Sequence, residues 1–374
     1  MGETIVVIGA NHAGTAAINT VLDQFPGNRV VAFDMNSNIS FLGCGMALWI
    51  GKQISGPEGL FYSSKGIFEE KGAEIHMETR ITRIDYDRKI VYGRDRDGKD
   101  LEQSYDKLIL ATGSIPVRPE IKGMDLENVQ FVKLFQNAQD VIEKLKDASI
   151  RKIAVVGAGY IGVELAEAFR RNGREVVLID CAETCLSGYY DREFSDRMAH
   201  NLQEHGVKLA FGEKVVRLEG KRRVERVVTD QGCYEADMVV FGIGFRPNTS
   251  LGQGRLRTFG NGAFLVDRRR RQACPGCMRW GTALRFITMP YRLRITLPWL
   301  PTRCAPESSR PITRAARFWN PWAFRDPTES VYGDFTCSAR ESAWPGQSGW
   351  DTMLRQRIMR TGRRQSLWRT ETIR

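Results

Sequence analysis

A chain of 374 residues is long enough for two or three domains. Its eight cysteines are scattered irregularly, which excludes a secreted disulfide framework, and no apolar run approaches the length of a membrane span. The net charge of +11 is confined to one end: residues 268–374 hold 21 Arg, no Lys and 7 Asp or Glu, a local +14 that leaves −3 for residues 1–267. Seven of the eight Trp also follow Asp267. Met1-Gly2-Glu3-Thr4 lacks the basic start of a signal peptide, so the expected location is the cytoplasm.

Taken in order, residues 4–8 (TIVVI) read as a buried parallel strand. The strand runs into Gly9-Ala10-Asn11-His12-Ala13-Gly14 and then a helical pattern over 15–25. This is a dinucleotide fingerprint with Asn11 at the middle glycine. Gly9 makes the tight turn, the helix start receives a pyrophosphate, and Gly14 lets helix and strand pack closely. A second strand over 29–33 ends in Asp34, placed to accept from an adenosine ribose hydroxyl. His12 is a bulky titratable residue inside the phosphate loop, read either as solvent-facing or as a proton-handling group beside Cys44.

The next stretch, Ser40 to Trp49 (SFLGCGMALW), sets one cysteine between two glycines with no second cysteine within four residues. Gly43 and Gly45 allow close approach to the sulfur, and a helix starting just beyond favours the thiolate. Cys44 is thus a candidate lone redox thiol, against the alternative of a buried structural cysteine. Residues 81–92 read as a strand pair turning at 85–88. Residues 105–114 form a strand ending in Ala111-Thr112-Gly113-Ser114, with Ile115-Pro116 as the exit.

A second fingerprint follows. Residues 152–156 lead into Gly157-Ala158-Gly159-Tyr160-Ile161-Gly162, a helix, and a strand over 175–179 ending at Asp180. Asp180 suits a ribose 2′-hydroxyl and opposes a 2′-phosphate, and Cys181 and Ala182 follow it rather than an arginine, so NADH is expected over NADPH. Residues 236–244 form the closing strand, with exit at 245–249. Two such sites imply two dinucleotides, most simply FAD and NADH.

These motifs (GANHAG, SFLGCGMALW, ATGS, GAGYIGVE and GIGFRPNT) give residues 1–267 a specific resemblance to the pyridine nucleotide-disulfide oxidoreductases. Within that family they resemble the group of water-forming NADH oxidases, NADH peroxidases and coenzyme A-disulfide reductases. The resemblance implies that Gly9 to Ala13, Asp34, Ile81, the Thr112–Ser114 region and Lys133 contact FAD. It implies that Ile161, Asp180, Tyr189 and Gly244 contact NADH, that Cys44 cycles through a sulfenic acid, and that His12 is the active-site histidine. The implied reaction carries hydride from NADH to FAD and on to oxygen, Cys44 reducing a peroxide-level species to water. Peroxide and coenzyme A disulfide stay open as alternative acceptors, as does a remnant that turns nothing over.

The resemblance stops after Asp267. The family has a further flavin motif there (Val-Tyr-Ala-x-Gly-Asp) and an interface domain carrying homodimer contacts; this chain has Arg268 to Arg271 and an Arg-, Trp- and Pro-rich tail. Codons permitted for Cys277 to Phe286, read one base out of register, spell Val-Tyr-Ala-Val-Gly-Asp-Cys-Ala-Thr-Val. Residues 301–310 yield a second family-like stretch in the same shifted frame. We therefore read the tail as frameshifted, which the coding DNA decides, with Cys274 and Cys277 an out-of-frame accident rather than a redox or metal pair. The tail lacks any nucleic-acid module. Cys181 and Cys185 lack the partners for a metal and read as structural.

The expected fold is α/β. A doubly wound FAD domain spans 1–118 and 249–267, and a doubly wound NADH domain spans 119–248. An irregular tail over 268–374 stands where the interface domain is lost. The expected substrates are small molecules, with no nucleic acid, membrane or metal partner.

Overall fold

The structure, a computed structural model, describes residues 2–266 and the backbone of residues 277–279 and 284–286. Every described residue belongs to one compact unit.

The opening βαβ unit is β1 (Thr4–Ile8), α1 (His12–Gln24) and β2 (Arg29–Phe33). A 3-10 turn at Gly43–Gly45 leads into α2 (Met46–Ile50), followed by α3 (Lys65–Glu70) and β3 (Glu74–His76). An antiparallel meander of β4 (Arg80–Asp85), β5 (Ile90–Arg94) and β6 (Asp100–Ser104) comes next. Then β7 (Lys107–Leu110) runs beside β1, and β8 (Ser114–Pro116) leaves the sheet. The second half contains β9 (Val129–Phe131), α4 (Phe135–Lys144), β10 (Lys152–Val156), α5 (Tyr160–Arg171) and β11 (Glu175–Asp180). It continues through α6 (Arg192–Glu204), β12 (Val207–Phe211) and a second meander of β13 (Val215–Glu219), β14 (Arg226–Thr229) and β15 (Cys233–Glu235). The closing elements are β16 (Met238–Phe241), β17 (Phe245–Pro247), β18 (Phe264–Val266), β19 (Cys277–Arg279) and β20 (Leu284–Phe286).

Two five-stranded parallel sheets result, in the orders β19-β7-β1-β2-β3 and β12-β11-β10-β16-β9. Strand alternation builds the layers around each. Ile5 and Val7 face the cluster under α1, with Ile18, Val21 and Phe68; Val6 and Ile8 face the first meander, with Ile84 and Val91. The second sheet repeats this. Ile153 and Val155 face α5 through Leu165 and Phe169, and Ala154 and Val156 face the second meander through Leu218 and Val227. Strands buried on both faces explain the unbroken apolar runs at 5–8 and 153–156. The two sheets are joined by β8 and β17, which pair antiparallel as the chain leaves the first sheet and returns from the second.

Helix α1 starts at His12, three residues before the expected 15, because the Asn11 carbonyl already accepts from the Thr15 N–H at 2.8 Å. Strand β6 escapes a reading from the sequence: Asp100-Leu101-Glu102-Gln103-Ser104 is polar, with only Leu101 packed on the core. In the stretch expected to be irregular, β19 pairs with β7 and β20 with β18, both parallel. Main-chain pairing along an open strand edge asks for no side-chain pattern. The remainder of the tail, including Cys274, lies outside the described residues.

Candidate active site

The first phosphate loop is shaped by its backbone. Gly9 has φ +98°, and a Cβ there would run into the Ala111 carbonyl, so only glycine serves. Gly14 lies under the Gly9 carbonyl with no room for a methyl. Asp34, buried at the end of β2, accepts from the Ala10 N–H at 2.6 Å through one oxygen and from Asn36 N and Nδ2, each at 2.8 Å, through the other. Burial raises its pKa and those hydrogen bonds oppose the rise. Asn11, at the start of α1, donates from Nδ2 to the Phe41 carbonyl at 3.4 Å, tying the loop to the cysteine stretch.

The second loop has the same construction. Gly157 has φ +103°, with a Cβ position 2.6 Å from the Gly242 carbonyl, and Gly162 packs under the Gly157 carbonyl. Asp180 accepts from the Ala158 N–H at 2.5 Å and from the Ala182 N–H at 2.7 Å. Around this loop stand Ile161, half-buried on α5, Gly244 with φ +104°, and Tyr189, 46% exposed. The Tyr189 ring lies 4.5 Å from that of Tyr160, whose hydroxyl donates to Tyr190 at 2.9 Å. Each loop therefore presents helix-start amides with a carboxylate pinned beside them, the second with an open middle position at Gly159, and this fits one dinucleotide per loop.

The segment carrying Cys44 is held to both halves. Leu42 N–H donates to the Leu60 carbonyl at 2.7 Å, and Phe41 bridges Phe61. Phe41, Phe61, Phe135 and Trp49 pack as a ring cluster with centroids 5.2–5.5 Å apart. Beyond the turn, α2 lies on α5: Asn172 Nδ2 donates to the Ile50 carbonyl at 2.7 Å, and Gln53 Nε2 donates to Glu167 at 3.1 Å. Cys44 itself is exposed, so it is not a buried structural cysteine. A Cβ at Gly43 would lie 3.6 Å from the Lys133 carbonyl, so the stretch borders Lys133.

His12 is half-buried, not a solvent-facing loop residue. Its Nδ1 is 2.8 Å from the Tyr62 hydroxyl, and the two rings stack with centroids 5.6 Å apart and 6° between planes. Burial, and then the Lys133 ammonium, hold its pKa below the ordinary value. Burial pushes Lys133 down to about 8, and its Nζ sits 4.1 Å from the Phe245 ring centroid. Thr112 donates from Oγ1 to the Asn248 carbonyl at 2.6 Å, and the Gly113 carbonyl accepts from Asn248 N–H at 3.0 Å, locking Gly113 and Ser114 to the returning chain.

Ile81 stands apart: its side chain is buried in the cluster beneath the first meander, leaving only its main chain for a ligand. Cys185 is fully buried, with its thiol pushed up to about 11 by burial, as befits a structural cysteine. Cys181 is exposed, contrary to expectation, because it lies past the end of β11. Tyr62 and Phe245 were not singled out from the sequence. Tyr62 reaches His12 only through the pairing of 40–42 with 60–63, and nothing in Gly59-Leu60-Phe61-Tyr62-Ser63 signals that pairing. Among the described residues no helix is long and apolar enough to cross a membrane, and no cluster of side chains suits a metal ion.

A family model described as pyridine nucleotide-disulphide oxidoreductase matches residues 3–283. An NADH oxidase of Streptococcus pyogenes is 57% identical over 284 residues, covering 73% of this chain and 62% of its own length. One from Lactococcus lactis is 45% identical over 273 residues, with 72% and 61% covered. The structure of a water-forming NADH oxidase from Lactobacillus brevis, bound to NADH, superposes with a TM-score of 0.73 at 38% identity, covering 76% of this chain and 63% of that one. The chain thus spans about 62% of the length of the first of these relatives.

Proposed function

Because the chain belongs to the pyridine nucleotide-disulphide oxidoreductase family, we propose that it is an FAD-dependent NADH oxidase that reduces oxygen to water with Cys44 as its redox thiol. The observation that carries this reading is the Cys44 segment, tied on one side to the first phosphate loop through Asn11 and Phe41 and on the other to α5 of the second. We assign 1–118 and 249–267 to FAD, 119–248 to NADH, and the chain to the cytoplasm.

Bound FAD supplies the two-electron junction between NADH and oxygen. The residues of the chain bind, orient and handle protons. Gly9 to Gly14 and Asp34 hold the pyrophosphate and ribose of FAD, with Thr112, Gly113, Ser114 and Lys133 closing the site. Gly157, Gly159, Gly162 and Asp180 hold those of NADH, with Ile161, Tyr189 and Gly244 beside them. The Cys44 thiolate attacks one oxygen of hydrogen peroxide, forming an S–O bond and releasing hydroxide. The sulfenic acid returns to thiol plus water with the two electrons of a further NADH and two protons. His12, kept neutral at pH 7, is the proton-handling group of this step.

Two measurements test the reading. The purified full-length chain is expected to show a flavin spectrum and to consume NADH and oxygen in a 2:1 ratio. Cys44→Ser is expected to keep oxygen uptake while peroxide accumulates. A colourless chain overturns the flavoenzyme reading; retained uptake without peroxide overturns the role of Cys44.

A further inference from the structure

We infer that Tyr62 is a positioning residue for His12: its hydroxyl donates to Nδ1 and so fixes the proton of the neutral imidazole on Nε2. The catalytic consequence rests on the flavoenzyme reading above; the hydrogen bond and its direction do not.

The pair has a built support. Tyr62 N–H donates to Ser40 Oγ at 3.1 Å, and the same oxygen accepts from Ser63 N–H and donates to the Ser63 carbonyl, each at 2.8 Å. Ser40 is fully buried, and its φ of +60° is an uncommon conformation for a residue other than glycine. Three hydrogen bonds from one hydroxyl oxygen thus clamp residues 62–63 to the head of the cysteine stretch, four residues before Cys44. The clamp leaves the phenol ring stacked on the imidazole at 6°. A phenol is a better donor than a neutral imidazole N–H, and an unprotonated ring nitrogen is a better acceptor than a phenol oxygen. The hydrogen bond therefore runs from Tyr62 to Nδ1 when the ring is neutral. Burial and the neighbouring Lys133 ammonium both favour the neutral ring. Nε2 is left carrying the ring's N–H, and the second tautomer is suppressed.

The test is imidazole 15N NMR on the full-length chain, with His12 identified among the four histidines by its loss in His12→Gln. Neutral His12 is expected in the Nε2–H form. In Tyr62→Phe both tautomers are expected, with the His12 titration midpoint raised by about half a unit to one unit, the worth of one hydrogen bond to the neutral form. An Nδ1–H tautomer in the wild type overturns the proposal. So does a Tyr62→Phe chain with tautomer and midpoint unchanged. If Tyr62→Phe does not fold, the wild-type tautomer decides alone. A chain without flavin sinks the oxidase reading and leaves this measurement intact.

Discussion

Gly159→Ala tests whether a glycine is present for a ligand rather than for the fold. Gly159 has φ −73° and ψ −173°, ordinary extended backbone, and Asn11 at the same place in the first loop has φ −81° and ψ −160°. A Cβ at Gly159 meets nothing nearer than Tyr189 Cε2 at 4.0 Å. The fold therefore does not need glycine here, and alanine should hold or raise stability, by up to about 0.4–1 kcal/mol through a less free unfolded chain. A nucleotide pyrophosphate drawn closer to this backbone than a side chain like that of Asn11 allows would need it. A methyl group in that contact costs on the order of 1–3 kcal/mol, roughly a five- to 150-fold rise in Kd for NADH. Gly162→Ala should behave in the opposite way. Its methyl group would overlap the Gly157 carbonyl, a cost of about 1–3 kcal/mol, offset by about 1 kcal/mol of helix preference for alanine. Urea unfolding and calorimetric titration with NADH read both variants. An unchanged Kd in Gly159→Ala refutes the reasoning and means that the second loop tolerates a Cβ as the first does at Asn11.

Asp180→Ala combined with Cys181→Arg should exchange NADH for NADPH preference, because the carboxylate now opposes a 2′-phosphate and a guanidinium would pair with it; the ratio of the two Kd values checks this. Lys133 should make the apo chain gain stability as pH rises. Its folded pKa of about 8 lies below the unfolded value near 10.4, so the unfolded chain binds more protons between those limits. Lys133→Met should remove that rise in urea midpoints measured from pH 7 to 10. Ser40→Ala should cost about 1–3 kcal/mol by leaving the Tyr62 and Ser63 main-chain groups without their shared partner, and a difference in urea midpoints measures it.

Both phosphate loops and their acids were legible because strand, glycine spacing and carboxylate are local and the main chain dictates them. Gly9, Gly14, Gly157 and Gly162 stand where any Cβ collides or strains the chain, and such constraints print themselves on the sequence. Cys44 was legible only as a residue type in a glycine frame; its place between the halves comes from Asn172 and Gln53, which carry no motif, and from Phe41, whose motif gives no sign of its contact with Asn11. Tyr62 was illegible because its partner lies 50 positions away. The meander strand Asp100–Ser104 was missed because an exposed strand carries little apolar alternation to read.

The antiparallel pair of β8 and β17 has a mechanical consequence. Each leg is entered through a left-handed glycine, Gly113 at φ +65° and Gly244 at φ +104°, and the legs are cross-tied by Thr112, Asn248 and the Val117 amide. A single strand between two bodies leaves them free to turn about it, and a laced pair does not. Any relative swing of the two sheets would have to flex both legs together and shear α2 across α5, where Ile50 and Gln53 are held by Asn172 and Glu167.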